Sequence, residues 1–267
     1  MGQMVDQVDY FVILEAAKTF TDEPKPLYVR ENWQRFQKYH HKMILHTLDT
    51  DGVVFTDTWS RERFSRNAMY DQVIPQLTGE QQALMGDVIL VSDVDEIPRP
   101  DALKTLRNCD FPKEVTLHTK MYYYSFQWLK REDWAHPQAT FYNNNKTILP
   151  SELRNSQHGA DLYNAGWHCS YCFSTVEELV TKIKSFSHQE MNKEEFTNED
   201  KIVHRVRTGS DMFDRPGEMF DRFEENPDVP QYLLKHRDRY SYLLDRDPPN
   251  ANFVDYTPPF DGEGLDA

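Results

Sequence analysis

Short apolar runs alternate with longer polar, periodic segments along this chain, and that alternation predicts its elements. YFVILEA (10–16) is a continuous apolar run with β-branched residues, which suits a buried parallel strand. ENWQRFQKYHHKM (31–43) has helical spacing through Trp33, Phe36, Tyr39 and Met43, and MILHTLD (43–49) reads as a second strand. WSRERFSRNAMYDQVIPQL (59–77) predicts a helix ended by Pro75, and it carries Arg61, Arg63 and Arg66. TGEQQALMGD (78–87) predicts a short helix with Thr78 as N-cap and Gln81 at the box position. VILVSD (88–93) is a third strand, and PRPDALKTLRN (98–108) a helix opened by prolines. VTLHTKMYYYSFQWL (115–129) reads as one long strand. The polar stretch 130–163 predicts loops around a short strand, ATFYN. TVEELVTKIKSF (175–186) predicts a helix with Val176, Leu179, Val180 and Ile183 on one face.

The strand–helix alternation predicts an α/β fold: one domain over 1–247, built on a mostly parallel central sheet flanked by helices. From Pro248 the chain is proline-containing and acidic, so 248–267 is expected to be an irregular tail. In open α/β sheets ligands bind beyond the carboxyl ends of strands, and Asp93 sits where the third strand should end.

Composition narrows the function. With 267 residues, 39% of them apolar, the chain is long enough for a substantial core. Acids outnumber bases 44 to 30, a net charge of −14, which repels phosphate backbones and argues against a nucleic-acid partner. No apolar run approaches the roughly 20 residues of a membrane span. The N-terminus has no basic segment before its apolar run and does not read as a signal peptide.

The chemistry concentrates in VSDVDEIP (91–98), where a strand runs into Asp93, Asp95 and Glu96. A lone Asp at a strand end usually caps a turn. Two aspartates at i and i+2 on an extended backbone project towards the same region, and a divalent cation would relieve their repulsion. Carboxylate oxygens suit Mg²⁺ or Mn²⁺. A calcium loop of the EF-hand kind is excluded by Ile97 and Pro98 at its fifth and sixth positions. A DxD phosphatase with Asp93 as nucleophile is a poorer fit, because strands precede this one and no clear lysine–acid pair follows. AGWHCSYCF (165–173) holds His168, a candidate third metal ligand, and Cys169 and Cys172, which read as a local disulfide or two packed thiols.

DVDEIPRP (93–100), AGWHCSYCF (165–173), EDK (199–201), RTGSDMFDRP (207–216) and PQYLLKHRDRYSYLL (230–244), in this order, resemble glycosyltransferase family 17. FVILEAAKTFTDEPKPLYVREN (11–32) is similar to the family's N-terminal segment. The resemblance implies a GT-A-like fold, UDP-GlcNAc as donor, inversion at the anomeric carbon, and a mannose hydroxyl of a glycan or glycoprotein as acceptor. It implies that Asp93 and Asp95 hold Mn²⁺ or Mg²⁺ against the donor diphosphate, with His168 beside them. A carboxylate base should take the acceptor proton; Asp200 and Glu96 are the candidates, ahead of Glu199, Asp211 and Asp214. Glu15, Lys201, Arg205, Arg207 and Trp167 are candidate donor contacts, against a bland reading as turn acid, solvated charges and core. Family members carry a further strand and helix, and a membrane anchor, ahead of the matched segment. The chain is therefore expected to lack the usual first strand, and a Golgi location would rest on an upstream anchor. A truncated module that binds glycans without turnover is the competing reading.

Overall fold

A computed structural model describes residues 1–156 and 158–259; the last part of the expected tail, 260–267, lies outside the described residues. The first predicted strand forms as β1 (Phe11–Glu15) and pairs in parallel with β2 (Met43–Thr47) in a small sheet of their own. Between them lie a one-turn helix α1 (Tyr28–Glu31) and a 3₁₀ segment, Trp33–Lys42. The next helix, α2 (Thr58–Ala68), starts at an Asp57–Ser60 capping box, and the chain stays helical with changed winding to Gln76. Residues 79–81 make a single 3₁₀ turn without the expected side-chain cap at Thr78.

The main sheet corrects the expectation of a mostly parallel one. It contains β3 (Val88–Val91), β4 (Glu96–Pro98), β5 (Glu114–Tyr123), β6 (Ser125–Lys130), β7 (Gln138–Phe141), β8 (Ala160–Ser170) and β9 (Phe220–Arg222). Among the described residues, only β5–β8 is a parallel pair within it; β3–β7, β4–β8, β5–β6, β5–β7 and β6–β9 are antiparallel. β5 is the centre. One side carries β8 and then β4; the other carries β7 and β3 at its start and β6 and β9 at its end. Between β5 and β6 a one-residue link leaves no room for the long crossover that a parallel pair needs. The sharpest case is Tyr124: its φ of 64° turns the expected single strand 115–129 back on itself as β5 and β6. The sequence alternates enough through 115–121 to read as a strand, and YYYS (122–125) holds no Gly, Pro or Asn to signal the turn.

Helices cover the sheet. Those after β4 are α3 (Pro100–Asn108), α4 (Pro150–Asn155), α5 (Val176–Ser185), α6 (Glu194–Thr197), α7 (Glu199–Thr208), α8 (Gln231–Lys235) and α9 (Ser241–Leu244). The apolar stripe of α5 meets Ile202, Val203 and Val206 of α7, Met121 and Tyr123 of β5, and Phe253 in the largest core cluster. Leu103 and Leu106 of α3 pack on Val115 and Leu117 in a second cluster.

The described part of the tail, 248–259, has no helix or strand, yet Ala251 and Phe253 are fully buried. Arg246 pins it. This side chain is 0% exposed and donates to the carbonyls of Tyr124, Phe173 and Ala251. Burial pushes its pKa down to about 9, so it is still charged at neutral pH.

Candidate functional site

β3 is an edge strand, half exposed, and ends at Val91, two residues before the acids. The acids then sit on a tight turn rather than on extended backbone. The Glu96 N–H donates to the Asp93 carbonyl at 3.1 Å, and the Asp93 N–H donates to Glu96 Oε2 at 2.8 Å. Val94, at the tip, is wholly exposed. β4 follows at once and runs against β8 with Glu96 opposite His168 and Pro98 opposite Gly166. A Cβ at Gly166 would lie 2.6 Å from the Ile97 carbonyl, so this close approach needs a glycine there.

The cost of gathering three carboxylates is met by cations of the chain itself. Arg154 of α4 is buried and forms a fork on Glu96, with Nη1 to Oε2 and Nη2 to Oε1 both at 2.8 Å; Nη2 also reaches Asp93 Oδ2 at 3.0 Å. Arg66, from the basic patch on α2, reaches Asp93 Oδ2 at 3.2 Å and Glu62 at 2.8 Å. Lys182 of α5 donates to Asp95 Oδ2 at 3.2 Å. His168 Nε2 approaches the same oxygen at 3.6 Å, while its Nδ1 is buried without a partner. Trp134 donates to Glu96 Oε1 at 2.8 Å and packs on the His168 ring. α4 is held against α2 by a bond from the Ser151 N–H to Asn67.

These contacts divide the three acids. Burial raises the Glu96 carboxyl, but the Arg154 fork outweighs it and leaves the pKa lowered. Both its oxygens are taken by Arg154, Trp134 and the Asp93 N–H. Burial likewise opposes Asp95, and the His168 and Lys182 contacts win, holding it well below the carboxylate range. Asp93 goes the other way: burial raises it further than Arg154 and Arg66 lower it.

A divalent cation here would need carboxylate oxygens that these contacts leave open. Asp93 and Asp95 each spend only Oδ2 on the cations named, with side chains 43% and 28% exposed. Counting Glu62, four carboxylates face Arg66, Arg154 and Lys182, an excess of one negative charge. Among the described residues no group of three or more His, Cys, Asp and Glu is disposed to hold a metal ion. Two hard oxygens and a residual negative charge fit a cation that completes its shell with water and phosphate, as Mg²⁺ commonly does. They do not make a cage supplied by the chain alone, and His168 Nε2 is turned to Asp95.

The other candidates lie on different contacts. Asp200, Lys201 and Arg205 line a surface cleft of about 380 Å³ on α7, together with His204, Ser210 and Asp214. Asp200 accepts from the Tyr256 hydroxyl at 2.6 Å, and Arg205 is paired with Asp214 at 2.5 Å. Arg207 is exposed. Glu15 is buried and accepts from the Val29 and Arg30 N–H groups at the start of α1. Trp167 is 3% exposed, lies under the Arg99 guanidinium and donates to Asp228. Cys169 and Cys172 form a disulfide directly after His168, and Cys109 is free and exposed.

Sequence reasoning missed Arg154, Lys182 and Trp134. Arg154 lies on a one-and-a-half-turn helix too short for a periodic signal, and Lys182 reads as the polar flank of an amphipathic helix. Arg66 left a trace, as part of a basic patch in an acidic chain.

No solved structure was found to match the chain. The human β-1,4-mannosyl-glycoprotein 4-β-N-acetylglucosaminyltransferase is similar to it, 26% identical over 91% of this chain and 51% of that protein. The rat and mouse proteins of the same name are 26% and 25% identical over the same shares. The chain thus spans about half the length of these curated relatives. The sequence profile of glycosyltransferase family 17 matches residues 1–248, nearly all of the described structure, and the chain belongs to that family.

Proposed function

We propose that this chain is an inverting N-acetylglucosaminyltransferase that moves GlcNAc from UDP-GlcNAc to a mannose hydroxyl of an N-glycan-type acceptor, with Mn²⁺ or Mg²⁺ at the acidic turn. Family membership supports the reaction class, and the relatives' names suggest donor sugar and acceptor. The observation that carries the site is the turn itself: Asp93 and Asp95 anchored through one oxygen each, beside a solvent-exposed tip. Bound there, the cation would neutralise charge developing on the departing diphosphate.

The chain's own residues have distinct tasks in this reading. Arg154 and Trp134 lock Glu96, so Glu96 is an anchor that fixes the turn. With both oxygens already accepting, it is a poor proton acceptor. Of the two proposed bases, Asp200 has the capacity, since it lines an open cleft and is held by one hydroxyl. The acceptor hydroxyl attacks the anomeric carbon from the face opposite UDP, and its proton passes to the base as the bond forms. The disulfide next to His168 agrees with an oxidising lumen such as the Golgi, and among the described residues no helix is long and apolar enough to cross a membrane.

Thermal unfolding tests the reading. UDP with Mn²⁺ should raise the midpoint far more than either alone, because each helps the other bind the native state. Transfer of GlcNAc to a biantennary N-glycan should accompany it. Nucleotide-induced stabilisation without transfer would favour a non-catalytic binding module; no response to the pair would overturn both.

A further inference from the structure

Lys182 is placed for more than an ion pair. It stands on α5 with its ammonium over the Tyr171 ring at 4.8 Å and the Phe173 ring at 5.7 Å. The Cys169–Cys172 disulfide brackets Tyr171, whose φ of 56° turns the chain there. The platform under the lysine is therefore braced by a covalent bond, and the aromatic faces attract a cation. Lys182 donates to Asp95 Oδ2, one contact from a group with three N–H donors, and its side chain is 28% exposed. Arg154 differs: it is buried, and its contacts go to Glu96 and Asp93.

Charge balance points the same way. The turn and its neighbours carry one excess negative charge, counting Glu62, Asp93, Asp95 and Glu96 against Arg66, Arg154 and Lys182. A divalent cation on Asp93 and Asp95 reverses that sign and makes Lys182 a half-buried cation of a net positive site. An ammonium of this kind serves as a point-charge partner for phosphate.

Resting on the donor reading above, we propose that Lys182 is a donor-binding residue: its ammonium contacts the β-phosphate of a nucleoside diphosphate held at the acidic turn, so the site selects diphosphates over monophosphates. The test is calorimetric titration of UDP and UMP, with Mg²⁺ present, into wild type, Lys182→Met, Lys182→Arg and Lys184→Met. Met keeps the apolar stem on the aromatic platform, and circular dichroism verifies folding. Wild type should prefer UDP to UMP. Lys182→Met should lose about tenfold in UDP affinity, the scale of one charge-assisted contact, with UMP affinity unchanged. Lys182→Arg should keep most of the preference, and Lys184→Met, an exposed position on the same helix, all of it. A wild-type UDP-to-UMP ratio in Lys182→Met overturns the assignment of Lys182 and leaves the donor reading standing. Should Lys182→Met not fold, equal UDP-to-UMP ratios in Lys182→Gln and wild type overturn it. A wild-type protein that binds neither nucleotide overturns both.

Discussion

Arg154→Met tests whether the acidic turn is held by a cation of the chain. The substitution removes a fork of two 2.8 Å bonds to Glu96 and a third bond, of 3.0 Å, to Asp93. The Glu96 side chain is 1% exposed, so its charge cannot turn to water when the partner goes. Breaking a buried pair from one side costs about 3–5 kcal/mol, most of it the stranded charge. At roughly 2–4 °C per kcal/mol for a chain near this size, the midpoint should fall by on the order of 10 °C. Two controls isolate the cause. First, adding Glu96→Gln to Arg154→Met should recover part of the loss, because the stranded charge is gone. Second, pH should act with a definite sign. In wild type the Glu96 pKa is lowered on folding, so its stabilisation is present above the unfolded value of about 4.3 and is lost as pH falls below it. In Arg154→Met, burial, the largest influence, is opposed only by the Trp134 and Asp93 N–H bonds, so the same pKa should rise and ionised Glu96 destabilises the fold above about pH 4.3. Acidification therefore removes a gain from wild type and a penalty from the variant, and their gap narrows. Urea unfolding at pH 7 and pH 3.5 measures both quantities. A cost under about 1 kcal/mol, or a gap that widens on acidification, would refute the account.

Three further outcomes follow from the same geometry. Asp95→Asn should abolish GlcNAc transfer, read by mass spectrometry of a glycan acceptor, with circular dichroism unchanged; turnover at saturating Mn²⁺ would remove the aspartate from the site. Arg246→Met should cost about 3 kcal/mol or more in urea unfolding, because it strands the carbonyls of Tyr124, Phe173 and Ala251 in a buried site, and proteolysis should then release the 248–259 segment first. Cys169→Ser should cost about 2 kcal/mol, the loop-closure value for so short a ring, and should weaken UDP binding as well if the bond braces the platform under Lys182.

The sequence by itself was enough for several local elements and for the crowding of acids after β3. Apolar runs located β1, β2 and β3, and the stripe through Val176, Leu179 and Ile183 located α5, because period and β-branching are properties of neighbours along the chain. The crowding of Asp93, Asp95 and Glu96 was equally visible, since unpaired charge at a strand end demands compensation wherever it folds. Tertiary structure alone decided who supplies it. Arg154, Lys182 and Arg66 lie 61, 87 and 27 positions from the aspartates they meet, and no local pattern encodes such meetings. The direction of the strands was hidden for a related reason. A strand buried on both faces looks the same in sequence whether its partner runs with it or against it, so Tyr124, one residue with a positive φ, turned one expected strand into two.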